Sequence, residues 1–216
     1  MRRFRWKRRL AALALLPAAA TMTTMGFTAA AIGVTAAPVE PGVKIGAKRH
    51  VRVGEPTVIR GRVTPAGNRT VVMEVGDRRV KTIHPRNDGG FRARWRAPHA
   101  GTYTVKAVVR GDEPAEPAAS DTVRINVYRS AAASYYGPGL YGGALACGGT
   151  LRPGTMGVAN RSLPCGTHLT LRYGDRSVRV QVIDRGPFSG GREFDLTAAT
   201  RARLGFPSTG RVLSTR

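Results

Sequence analysis

Four acidic residues carry most of the chemistry available to the C-terminal part of this chain. They are Asp175, Asp184, Glu193 and Asp195, set among twelve basic residues between positions 129 and 216. A carboxylic acid can protonate the leaving oxygen of a glycosidic bond, and a second carboxylate commonly activates the attacking group. Asp184 closes the run Ser177-Val178-Arg179-Val180-Gln181-Val182-Ile183 and precedes Gly186-Pro187. That puts it at a strand end, where a side chain can face a groove. Asp195 lies between Phe194 and Leu196. A partly buried setting there suits either a carboxyl with a raised pKa or a structural acid held by backbone amides. Asp175 follows Gly174, and a solvated turn residue is its ordinary role.

The two cysteines, Cys147 and Cys165, are too few for a zinc site with cysteine ligands. In an exported protein such an isolated pair forms a disulfide. Closing a loop of this length stabilises a fold by about 3 kcal/mol in the chain-entropy model. His168 is three residues from Cys165 and would be the base for a nucleophilic cysteine, but an oxidised pair cannot attack. His50, His84 and His99 show no ligand spacing, and neither a metal nor an organic cofactor is expected. Gly137 to Gly142 spells G-x-G-x-x-G, yet no acid follows before Asp175. A dinucleotide site needs an acid about 20 residues on, so the glycines are read as a tight loop.

These residues need elements to hold them, and the pattern is of short strands. Leu169 to Tyr173, the turn Gly174-Asp175, and Ser177 to Ile183 read as a hairpin. A short helix is expected over Leu196 to Leu204, with Thr197 as N-cap, Gly205 at C′ and Pro207 as a stop. Upstream, period-two alternation recurs at Ile59–Val63, Val71–Val75, Phe91–Ala97, Tyr103–Val109 and Val123–Val127. Turn clusters such as Asn87-Asp88-Gly89-Gly90 separate these runs. Six or seven strands at this spacing predict an immunoglobulin-like sandwich over 40–128, with 129–132 as a linker. Arg92, Arg94 and Arg96 share one face of a strand and are read as a solvated outer surface. With Gly 27 and Pro 14 among 216 residues, the composition favours turns and strands over a helical bundle.

Ala133-Ser134-Tyr135-Tyr136-Gly137, Ser162-Leu163-Pro164-Cys165-Gly166-Thr167, Val182-Ile183-Asp184-Arg185-Gly186-Pro187-Phe188 and Phe194-Asp195-Leu196-Thr197 resemble, in order and spacing, the RlpA-like double-psi β-barrel family. The resemblance implies a six-stranded barrel over 133–216, hence an all-β protein with one short helix. It also implies an exported wall protein, acting as a lytic transglycosylase on peptidoglycan glycan. In that reaction the sugar's own 6-hydroxyl attacks, so one positioned acid can suffice. Asp184 matches the family's catalytic aspartate, and Asp195 stands in the F-D context of related expansin-like barrels. Two departures favour a second reading, a non-catalytic binding or wall-loosening module. The family's functional Gly-Glu pair is replaced by Cys147-Gly148-Gly149-Thr150, and Asn160 stands where a histidine is common. On either reading Tyr135, Tyr136, Tyr141, Phe188 and Arg185 are the candidate glycan contacts.

The charge says where such chemistry would take place. Lys+Arg number 35 against 13 Asp+Glu, a formal net charge of +22. Six of the positive charges fall in the first nine residues, ahead of an uncharged stretch from Leu10 to Val39. Residues 1–37 therefore read as a signal peptide, or as a retained membrane anchor. The other charges are spread: 17 basic and 9 acidic side chains in 40–128, then 12 and 4 in 129–216, which is +8 for each part. An exported protein with that surface suits peptidoglycan and other anionic wall polymers. Nucleic acid is excluded as a partner by export and by the lack of a recognition motif.

Overall fold

The computed structural model describes residues 41–110 and 118–216. The signal or anchor segment expected over 1–37 lies outside them. Among the described residues no helix is long and apolar enough to cross a membrane.

The N-terminal strands are β1 (Gly42–Gly46), β2 (His50–Arg52), β3 (Thr57–Thr64), β4 (Thr70–Val75), β5 (Arg78–Ile83), β6 (Gly90–Trp95), β7 (Gly101–Arg110) and β8 (Ala118–Ala119). The long β9 (Val123–Tyr136) follows them. One sheet runs β1-β3-β6, and a second runs β5-β4-β7-β9, with β2 on β9 and β8 on β7. The predicted alternation has a direct cause. Ile59, Ala93, Met73, Val105, Ile125 and Val127 come from both sheets and form one buried cluster. Val43, Val63, Val71, Phe91, Ala107 and Val109 form a second. Two sheets facing each other across these side chains make a β-sandwich. Arg92 and Arg94 alternate outward into solvent, as their parity requires.

The remaining elements are β10 (Val158–Ala159), β11 (His168–Tyr173), β12 (Arg176–Asp184), β13 (Phe194–Thr197), α1 (Ala198–Leu204) and β14 (Thr209–Ser214). Their pairings run β13-β10-β12-β11-β14-β9, and β9 pairs in turn with β13. The six strands wrap around Ala131, Ala133, Val158, Leu169, Leu171, Val180, Val182, Phe194, Leu196 and Val212. Helix α1 begins two residues later than the hydrophobic pattern suggests, because Leu196 and Thr197 belong to β13. Its cap is the expected one. Thr197 Oγ1 accepts from the Thr200 amide, and Gly205 takes the left-handed conformation (φ 65°).

Residues 129–132 are not a linker. They lie inside β9, where Arg129, Ser130, Ala131 and Ala132 face Ser214, Leu213, Val212 and Arg211 of β14. The 14-residue strand serves both the sandwich sheet and the barrel. Ala131 and Ala133 alternate into the barrel core, so this stretch continues the period-two pattern that ends the sandwich.

Candidate functional site

Two of the four C-terminal acids are brought together by a single residue, Ala159. Strand β10 lies between β12 and β13. Ala159 is the register partner of Asp195 on one side and of Asp184 on the other. The second pairing depends on an irregularity. Val158 faces Val182, but Ala159 faces Asp184, so Ile183 is an extra residue in the ladder. Side chains alternate faces along a strand, so without the bulge Asp184 would share the core face of Val182. With it, Asp184 moves to the opposite face, beside Asp195. A bulge re-aims a side chain in this way, and such features recur next to active sites. Gly157 makes room for it. A Cβ there would meet the Ile183 Cδ1 at 2.4 Å.

Each carboxyl is held by defined donors. Asp184 Oδ1 accepts from the Ala146 amide (2.9 Å) and from the Arg185 amide (2.9 Å). Both backbone donors thus meet the same oxygen. The Ala146 amide is in place because the neighbouring Cys147 amide donates to the Ile183 carbonyl (3.2 Å). Cys147 is in turn joined to Cys165 by the expected disulfide. Asp195 Oδ1 accepts from Ser134 Oγ at 2.7 Å; the two residues are register partners across β13 and β9. Burial pushes the Asp195 carboxyl above the ordinary carboxylate range. The Asp184 charge adds to that rise, while Ser134 and Arg192 oppose it. Tyr136 completes the cluster. Its buried hydroxyl has no partner of normal hydrogen-bond geometry among the described residues. Burial, then the Asp184 charge and the phenol's polar contact with Asp184, and last the Asp195 charge, keep the phenol protonated well above its usual range.

The other sequence candidates are dispersed. Tyr135 packs against the barrel core, and the Arg201 guanidinium covers its ring at 4.4 Å. The Arg185 guanidinium turns away from Asp184. It donates to the carbonyls of Asn160 (3.0 Å) and Leu163 (2.9 Å) and lies 3.0 Å from Cys165 Sγ. Phe188 is 78% exposed and Tyr141 42%, so both are available to stack on a ligand. Asp175 is fully exposed and pairs with Arg172, and Glu193 pairs with Arg129. Asn160 is buried and fixes a loop. Its Oδ1 accepts from the amides of Ser162 and Leu163, and its Nδ2 donates to the Glu193 carbonyl. Ser134 and the Ala146 amide were not singled out from the sequence. The first was legible as the same-face neighbour of Tyr136 on β9, whereas nothing local marks the second. No group of three or more His, Cys, Asp or Glu suited to a metal occurs among the described residues.

A six-stranded barrel with two carboxyls facing one another across a short central strand defines the class, a double-psi β-barrel. Residues 129–213 match the family model described as lytic transglycolase, and this part of the chain is similar to the RlpA-like double-psi β-barrel family. The chain is 35% identical over 162 residues to a probable endolytic peptidoglycan transglycosylase RlpA of Synechocystis, covering 67% of this chain and 50% of that protein. Over 80 residues it is 39% identical to the endolytic peptidoglycan transglycosylase RlpA of Pseudomonas aeruginosa (36% of this chain, 24% of that protein). It is also 35% identical over 80 residues to that of Campylobacter jejuni (36% and 29%). The chain thus spans half or less of the length of these relatives.

Proposed function

We propose that this protein is an exported wall enzyme that cleaves peptidoglycan glycan strands by a lytic transglycosylase reaction, with Asp184 as general acid. The observation that supports it best is the shared register of Asp184 and Asp195 on Ala159, which sets two carboxyls on one face. In the reaction the sugar's 6-hydroxyl oxygen bonds to C1 as the bond from C1 to the leaving oxygen breaks. The hydroxyl proton is lost and the leaving oxygen gains one, so no water is consumed. Asp184 delivers the proton through Oδ2, the oxygen its backbone donors leave open. Asp195 is the second carboxyl, and its raised proton affinity keeps a proton within the pair. Exposed Phe188 and Tyr141 provide faces for sugar rings.

The test is incubation of the purified protein with glycan strands, scored as release of 1,6-anhydro-muropeptides. Asp184→Asn should lower the rate by about 10²–10⁴-fold, the ordinary contribution of a general acid, while leaving sedimentation with peptidoglycan intact. A second reading has its own observation. Where the family carries a glutamate, this chain has Gly148 and Gly149 beside the disulfide. If wild-type protein sediments with peptidoglycan and releases no anhydro products, the protein is a wall-binding module and the enzymatic reading fails.

A further inference from the structure

A cavity of about 420 Å³ lies where the sandwich meets the barrel, between β2, the β11–β12 turn and β14. It is remote in the fold from Asp184 and Asp195, and none of its lining residues belongs to that site. Lys48, Arg49, His50, Arg52 and Arg172 line it, with Glu55 as the acid. Glu55 is already engaged, by the Lys48 ammonium (2.9 Å) and the Arg52 amide (3.1 Å). Arg172 pairs with Asp175, a fully exposed turn residue whose charge is screened by solvent. Among the described residues no acid pairs with the Arg49 or Arg52 side chain. His50 Nδ1 meets the Tyr128 hydroxyl at 2.7 Å, so the ring is fixed within the cluster. Burial, then the charges of Arg172 and Arg49, hold the imidazole below its ordinary value. Both arginines therefore act on the same point of the cavity. Burial also pushes the Tyr128 phenol up to about 12, which leaves it a neutral hydroxyl.

We infer that this cavity binds a phosphate group borne on a polymer chain, using Arg49, Arg52 and Arg172 as its cationic walls. Planar guanidinium groups match phosphate oxygens in pairs of hydrogen bonds. Several such groups around one recess suit an anion with more than two acceptor oxygens. A recess admits a phosphodiester strand, whereas a headgroup packed in a bilayer reaches a flat cationic face more readily. The choice of a wall polymer over a lipid rests on the wall-side location proposed above; the phosphate site itself does not, nor does it depend on the cutting reaction.

Titration of the full chain with inorganic phosphate at constant ionic strength, followed by NMR, tests the site. Saturable shifts of the His50 ring are expected, together with a rise of its pKa on binding, since the anion offsets Arg49 and Arg172. The double variant Arg49→Gln, Arg172→Gln should weaken binding at least tenfold. Arg92→Gln, Arg94→Gln on the outer sandwich face should leave it unchanged. Non-saturable shifts spread over many arginines, or equal binding by both double variants, would overturn the site. Cosedimentation then tests the source. Retention by poly(glycerol phosphate) coupled to beads supports the proposal, and retention by anionic phospholipid vesicles alone overturns the wall-polymer assignment. Anhydro-muropeptide release should be the same in wild type and in Arg49→Gln, Arg172→Gln, so the two proposals can fail separately.

Discussion

Asp195 and Tyr136 flank Asp184 from β13 and β9, and each holds its proton more firmly than it would in water. For Asp195 the consequence for stability has a definite sign. Its folded value is raised, so the folded state binds more protons than the unfolded chain through the window above the ordinary carboxylate value. Stability therefore falls as pH rises through that window. Asp195→Asn should remove this part of the pH dependence, which thermal melts between pH 3 and 7 would show. The Tyr136 hydroxyl is buried without a hydrogen bond of normal geometry and meets Asp184 only in a weaker polar contact, so Tyr136→Phe should change the melting temperature little. If the phenol donates to the carboxyl pair in the reacting complex, the rate should fall by roughly fivefold, the worth of about 1 kcal/mol. An unchanged rate would make the hydroxyl a bystander.

The bulge at Ile183 does what no single residue does. It moves Asp184 across the sheet to the face of Asp195, and it depends on a close approach to Gly157. Gly157→Ala forces a Cβ into the Ile183 side chain and should cost about 1–3 kcal/mol, the usual price of overpacking. Adding Ile183→Ala frees the contested space and should recover part of the loss in a chemical-denaturation series. Hairpin β11–β12, the capped helix and the alternating sandwich strands were all legible, because each is specified by local pattern and by turn residues. The bulge was not. Asp184 has the parity of Val180 and Val182, and alternation alone assigns it to the core face. β9 was legible only at Val123–Val127. The five residues that follow, 128–132, carry no turn signal, and 129–132 are held in the strand by pairing with β14, which lies some eighty residues later.

That continuity makes the two halves of the molecule share a strand. A fragment of residues 133–216 loses four of the six register pairs between β9 and β14. It should be unfolded by circular dichroism, whereas 129–216 should unfold cooperatively. The disulfide acts on the same scale, tying the loop that carries the Ala146 amide to the loop before β11. Cys147→Ser with Cys165→Ser should cost about 3 kcal/mol, a fall of roughly 6–12 °C in Tm for a protein of this size. Cleavage should weaken with it, because Asp184 then loses one of its two backbone donors. Charge is also a property of the whole. The +8 carried by each half is spread along the chain, and Lys48, Arg49, Arg52 and Arg172 bring part of it to the cavity between β2 and the β11–β12 turn.

Sequence alone determined the strand-rich class, the hairpin, the capped helix, the cysteine pair and the acids worth attention. All of these are local patterns or the consequence of a short list of residue types. Only the tertiary structure decided which acids lie together, which tyrosine faces them, and that Arg185 serves the loops instead of Asp184. The reason is geometric. A face is assigned by register, and register is set by pairing between segments far apart in the chain. One extra residue in a ladder reverses an assignment that every neighbouring residue would predict otherwise.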